Sequence, residues 1–164
     1  MSRLAYRFRV YPAKAQERQL EATLETCRRL YNRFLGERKA AWEGEQRSLG
    51  YFVQKRQLPE WKQSNPFLPR VHAHVLQDVC KRVDLAFQAL FRRVKAGETP
   101  GYPRFRGAGW YDSITYPDYG NGCKLSGDRL TLSKIGSVRI KQHRQIAGEI
   151  KTCNICRLNG KWFA

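Results

Sequence analysis

The sequence predicts an α+β chain, and three features carry that expectation. Two long stretches repeat apolar residues at steps of three and four, a basic–apolar alternation of period two precedes them, and a turn-rich tail of short strand-like runs follows. The 164 residues suffice for one domain or two small interlocked ones, and a hydrophobic content of 41% supports a packed core.

Residues 3–11, Arg-Leu-Ala-Tyr-Arg-Phe-Arg-Val-Tyr, read as a strand with one wet, basic face and one buried face, ended by Pro12. From Lys14 to about Trp42, Leu20, Leu24, Cys27, Leu30 or Tyr31, Phe34 and Leu35 form the stripe of an amphipathic helix, with Arg18, Glu21, Glu25, Arg29 and Arg33 on its other side. Residues 44–69 are less regular, with one short helix expected near Val53–Leu58. A second strong helix is expected from about Arg70 to Lys95, its stripe running Val71, Val75, Val79, Val83, Phe87, Leu90 and Val94, with Gly97 as terminator. The two stripes are expected to pack on each other. Strand-like runs follow at Ser113–Tyr116, Lys124–Leu125, Arg129–Leu132, Ser137–Lys141 and Lys151–Leu158, with turns at Gly127-Asp128 and Ile135-Gly136. Asn159-Gly160 is the strongest hairpin signal, and only Lys161-Trp162-Phe163-Ala164 follow it. That short apolar return strand reads as a sticky, exposed edge, and hence as the end of a truncated chain.

Charge narrows the function. Thirty-one Lys and Arg against 14 Asp and Glu give a formal +17, which repels itself in a compact fold and favours a polyanionic partner. Nucleic acid fits best, because each neutralised phosphate releases condensed counterions. A membrane partner is disfavoured: no run approaches the ~20 apolar residues of a span, and there is no signal-peptide pattern. Five cysteines, with Cys27, Cys80 and Cys123 far apart, fit reduced, mostly buried thiols and a cytoplasmic location.

No catalytic site is expected within these residues. Metal-assisted phosphodiester cleavage needs converging carboxylates, whereas here Glu17, Glu37 and Asp84 read as solvated acids beside Arg18, Arg38 and Arg82. His72 and His74 are two apart on the expected helix and do not face each other there. Cys153-Asn-Ile-Cys156 lacks a second ligand pair, so core or edge thiols are expected rather than zinc. Basic and aromatic residues do mix at Tyr102, Arg104, Phe105, Arg106, Trp110, Tyr111, Tyr116 and Tyr119. The arginines there suit phosphates; the rings either stack on unpaired bases or, like Phe105 and Trp110, fill the joint between helices and strands. Arg7, Arg9, Arg28, Arg29 and Arg33 are further candidates for tracking a phosphate backbone.

Tyr6-Arg-Phe-Arg-Val-Tyr-Pro-Ala-Lys-Ala-Gln16, Tyr31-Asn32, Leu76-Gln77, Gly101-Tyr-Pro-Arg-Phe-Arg106 and Thr131-Leu-Ser-Lys-Ile-Gly136, in that order, resemble the OrfB/TnpB proteins of insertion sequences. The resemblance covers nearly the whole chain. It implies a relative of RNA-guided DNA endonucleases, with a helical, helix-turn-helix-like recognition domain at 13–98 inserted into a partial β-barrel wedge domain at 1–12 and 99–164. It also implies structured guide RNA and duplex DNA as partners, and contacts from Tyr51, Gln77 and Thr115 to the motif flanking the target. Gln77 suits that role independently, since its amide can bond adenine bidentately. The family's catalytic carboxylates and four-cysteine zinc insert have no counterpart in residues 1–164. This chain is therefore expected to bind without cleaving, to need no cofactor of its own, and to work with a nuclease portion carried elsewhere. An autonomous helix-turn-helix-like repressor or an inert transposon remnant are the alternatives.

Overall fold

A computed structural model describes residues 2–164; Met1, the first residue of the expected 1–12 segment, lies outside them. The first long stripe folds as α1 (Lys14–Glu45), and Leu20, Leu24, Cys27, Leu30, Tyr31, Phe34 and Leu35 are all buried. Ala13 offers no capping oxygen, so Gln16 caps instead: its Oε1 accepts the Ala13 N–H at 2.9 Å. The same amide donates to the Ser137 carbonyl at 2.7 Å, tying the helix start to a strand far along the chain.

Two short helices follow, α2 (Tyr51–Lys55) and α3 (Leu58–Ser64), where one was expected, and then a single 3-10 turn at Leu68–Arg70. The second stripe folds as α4 (Ala73–Lys95). Gly97, at φ 84, closes it in a Schellman motif, with Gly97 N–H donating to the Val94 carbonyl and Glu98 N–H to the Arg93 carbonyl, both at 3.0 Å. The stripe is buried from Val71 to Phe87, but Leu90 is only half-buried and Val94 is 57% exposed. Phe91 and Val94 on the last turns of α4 remain exposed, and a cleft opens beside them.

Seven antiparallel strands follow the order β2-β6-β7-β1-β5-β4-β3. They are β1 (Arg9–Tyr11), β2 (Ser113–Tyr116), β3 (Cys123–Ser126), β4 (Arg129–Leu132), β5 (Gly136–Lys141), β6 (Cys153–Leu158) and β7 (Lys161–Phe163). The first strand is thus flanked by two of the last, and all the helices are looped out between β1 and β2. The sheet remains open between β2 and β3, so the fold is α+β with a helical insert and a partial, barrel-like sheet. Sheet residues Val10, Ile114, Val138, Ile140, Ile155 and Trp162 join the stripes of α1 and α4 in one hydrophobic cluster.

Two strand expectations need correction. The expected strand over 3–11 is regular only at Arg9–Tyr11, its last backbone pair being Phe8 with Ala164 at 2.8 and 2.9 Å. The Trp162-Phe163 end is not an exposed edge: β7 lies between β6 and β1, and Trp162 is 2% exposed. The hairpin itself forms as expected, with Asn159 at φ 51 and Gly160 at φ 74, the positive pair a tight I′ turn requires.

The reading of acids as solvated also fails at the centre of the helical layer. Arg38 and Asp84 are both buried and paired at 2.8 Å, and Arg38 Nε donates to Gln54 Oε1 at 2.6 Å. Gln54 in turn donates to the Phe34 carbonyl at 2.8 Å, and Gln88 donates to the other Asp84 oxygen at 2.7 Å. Packing α2 and α4 against α1 takes these groups out of water, and each finds partners there.

Candidate nucleic-acid interface

The segment 101–107 has no regular structure, so its backbone groups must find partners elsewhere. Helix α1 supplies them for Arg106. Asn32 Oδ1 accepts the Arg106 N–H at 2.8 Å, and its Nδ2 donates to the Arg106 carbonyl at 2.9 Å. Arg28 donates to the same carbonyl at 2.9 Å while its Nε and Nη2 bind both oxygens of Glu25, at 2.8 and 2.7 Å. The Arg28 and Arg29 guanidinium groups hold the Glu25 carboxyl down to about 2, well below its ordinary range. Arg28, expected to meet phosphate, is thus engaged in anchoring the segment. Arg29 shares Glu25 at 2.9 Å but stays 72% exposed, and the Arg33 guanidinium lies 3.5 Å from the centroid of the Trp61 ring.

The anchored segment presents Arg104 and Arg106 to solvent, the Arg106 guanidinium 5.7 Å from the Tyr31 ring. The rings divide. Tyr111 and Tyr116 are core, whereas Phe105 is 51% and Trp110 74% exposed. Phe105 rests over Gly36, where an added Cβ would sit 3.7 Å from the ring. Trp110 therefore does not fill the joint between helices and strands.

Tyr51, Gln77 and Thr115 gather around one stretch of α4. The Cys80 thiol donates to the Tyr51 carbonyl at 3.7 Å, and the Lys81 ammonium stands 5.3 Å from the Tyr51 ring. Gln77 is one helical turn before Lys81 and half-buried. Arg82, paired with Asp78 at 3.0 Å, donates to the Ser113 carbonyl at 2.8 Å and to Thr115 Oγ1 at 2.9 Å. The Thr115 hydroxyl donates in turn to Asn154 Oδ1 at 3.0 Å. Arg82 was not singled out in sequence, where the Asp78–Arg82 spacing resembles any surface helix pair.

The outer face of the sheet is the third basic surface. Register sets Arg9 beside Lys141 and Phe163, and Tyr11 beside Arg139, which in turn neighbours Arg129. The Arg9 guanidinium lies 5.0 Å from the Tyr11 ring and 5.6 Å from the Phe163 ring, with Arg7 5.8 Å from Phe163. Arg139 and Lys141 were missed, although the alternation in Gly-Ser-Val-Arg-Ile-Lys, residues 136–141, marks them as outward-facing.

Cys153 and Cys156 are three apart on β6 and so face opposite sides of the sheet, and no group of three His, Cys, Asp or Glu converges among the described residues. Burial pushes the Cys27 and Cys80 thiols up to about 12, which makes them unreactive. His72 and His74 do meet, at 5.5 Å between ring centres, because His72 precedes the helix in an extended conformation. The His72 ring packs so close to Gly122 (φ 91) that an added Cβ would lie 2.5 Å from Nε2. No helix among the described residues is long and apolar enough to cross a membrane.

Residues 1–47 match the OrfB IS605 family, described as a helix-turn-helix domain; here they fold as β1 and the unbroken α1, with α2 following. The chain is 29% identical to the "Putative RNA-guided DNA endonuclease InsQ" of Escherichia coli (strain K12), over 99% of its own length and 40% of that protein's. It is 33% identical over 62% of its length to a "Putative RNA-guided DNA endonuclease" of Streptomyces pristinaespiralis, of which it spans 25%. Residues 1–47 thus match the OrfB IS605 helix-turn-helix family model, and over nearly all its length the chain is similar to part of a "Putative RNA-guided DNA endonuclease".

Proposed function

We propose that this chain is the nucleic-acid-binding portion of an RNA-guided DNA endonuclease, holding structured guide RNA and reading a short duplex motif beside the target. The observation that carries the reading is the division of its arginines. Arg28, Arg38 and Arg82 are engaged with acids inside the fold, whereas Arg7, Arg104, Arg106 and Arg139 have no acidic partner among the described residues. Unpaired guanidinium groups on an anchored loop and an outward sheet face suit the phosphates of a nucleic-acid backbone.

In this reading the strands, at 1–12 and 99–164, and the helices at 13–98 grip the RNA scaffold together. Tyr51, Gln77 and Thr115 face the flanking motif, with Lys81 beside them to steady the phosphate. Base pairing with the guide would read the target itself. Cleavage, with its metal and any zinc, belongs to a nuclease portion beyond these residues, and the site of action is the cytoplasm.

The test is binding of the purified chain to RNA transcribed from its own locus, at two salt concentrations, with duplex DNA as competitor. The expected result is salt-dependent RNA binding that resists the competitor. Absence of salt-dependent binding to either nucleic acid overturns the proposal. Sequence-specific duplex binding without RNA replaces it with a self-sufficient DNA-binding module.

A further inference from the structure

Between the C-terminal half of α4 and the 101–110 segment lies a cleft of about 590 Å³. That is within the roughly 300–1,000 Å³ of small-ligand sites. Ala86 and Ala89 line it on the helix side, together with Tyr31 from α1 and Tyr102 from the segment. Arg93, Arg104 and Arg106 line it, and no acidic residue does. Arg93 has only a distant partner, Glu98 at 4.0 Å, and both are exposed.

The cleft is pre-built rather than waiting to form. Asn32 clamps both backbone groups of Arg106, and Tyr102 meets Phe87 edge-on at 5.4 Å. The turn that carries Trp110 is closed by its N–H to the Gly107 carbonyl at 3.1 Å. Trp110 itself stands 74% exposed, a large apolar ring left in water in a cleft that three arginines also line. A ligand that satisfies all of this is flat and aromatic at one end and anionic at the other.

We infer that this cleft takes a single unpaired nucleotide, its base on the Trp110 ring and its phosphates among Arg93, Arg104 and Arg106. A base inside a duplex has both faces stacked and cannot offer one to Trp110, so the cleft selects bulged, looped or terminal nucleotides. The inference rests on the nucleic-acid reading above and adds to it a distinction between unpaired and paired bases.

The test uses the full chain and two hairpins of one sequence carrying 2-aminopurine, either bulged out or opposite its pairing partner. Each is made as RNA and as DNA, so that the two sources of an unpaired nucleotide are told apart. The expected result is tighter binding of the bulged probe, with its fluorescence quenched on binding. Trp110→Ala weakens that probe by about 5- to 150-fold, the span of stacking on one ring, and leaves the paired probe within twofold. Trp110→Phe retains most of the preference. Because Trp110 is exposed, its removal leaves the melting temperature unchanged. Equal binding of bulged and paired probes, or equal weakening of both by Trp110→Ala, overturns the inference while leaving the general reading intact. No binding of any probe overturns both.

Discussion

The α1–α4 interface and the 101–107 segment use the same side chain in opposite ways. At the interface, Arg38 is 6% exposed, paired with Asp84 at 2.8 Å, and stacked 5.2 Å from the Phe87 ring. On the segment, Arg104 is exposed and has no acidic partner among the described residues, and Arg106 lends its backbone to the fold while its side chain remains outside. The difference teaches that net charge is not one quantity. Part of it is consumed in holding helices together, and only the remainder is available to a partner.

Four measurements sharpen that contrast, and the first is expected to have the largest effect. Arg38→Ala leaves the buried Asp84 without its arginine partner, a loss of about 3–5 kcal/mol, visible as a lower urea midpoint. The double variant Arg38→Met, Asp84→Leu recovers most of it, since no orphaned charge is left. If Arg38→Ala melts like the native chain, the interior arginine is not structural and the contrast collapses.

Arg82→Ala comes next. It removes the charge-assisted hydrogen bonds that tie α4 to β2. A half-buried donor of this kind contributes roughly 1.5–3 kcal/mol. Hydrogen exchange at β2 should rise before the global melt shifts, because β2 is an edge strand held on one side by β6 alone.

Arg104→Gln is the converse. Thermal unfolding is expected to move by no more than about 0.5 kcal/mol, as for other exposed sites. The dependence of nucleic-acid binding on log salt loses about 0.7–0.9 of a unit, one phosphate contact. A change in stability without a change in salt slope would assign Arg104 to the fold.

The smallest effect is electrostatic. The Glu25 carboxyl is held below its ordinary value, so it favours the folded state above that value, and the contribution fades as pH falls from 4.5 towards about 2. Solvent screening keeps it small, since Glu25 is 41% exposed. Acid titration is expected to loosen the 101–107 segment before the core, seen as rising proteolysis there. Glu25→Gln abolishes that pH dependence.

Much of the fold was legible because its signals are local. The stripes of α1 and α4 repeat at the helical period, Gly97 and Asn159-Gly160 sit where only a positive φ will do, and the runs at Ser113–Tyr116, Arg129–Leu132 and Ser137–Lys141 alternate. The middle of the chain was harder. α2 and α3 are too short to show a period, and Gln54, fully buried between helices, carries no apolar signal at all. At the candidate interface, residue types named Arg104 and Arg106 and equally Arg28, and only the fold distinguishes them: Arg28 is occupied by Glu25 and the Arg106 carbonyl, while Arg104 and Arg106 face solvent.

The sequence by itself determined the long helices, the hairpins, the α+β class and a surplus of positive charge, all properties of neighbours along the chain. Only the tertiary structure decided which charges are spent. Arg38 and Asp84 are 46 positions apart, Asn32 and Arg106 are 74 apart, and β1 lies between strands from the far end of the chain. A guanidinium is the same in either place. Its role depends on whether packing brings an acid within reach and removes the water, or leaves it facing solvent.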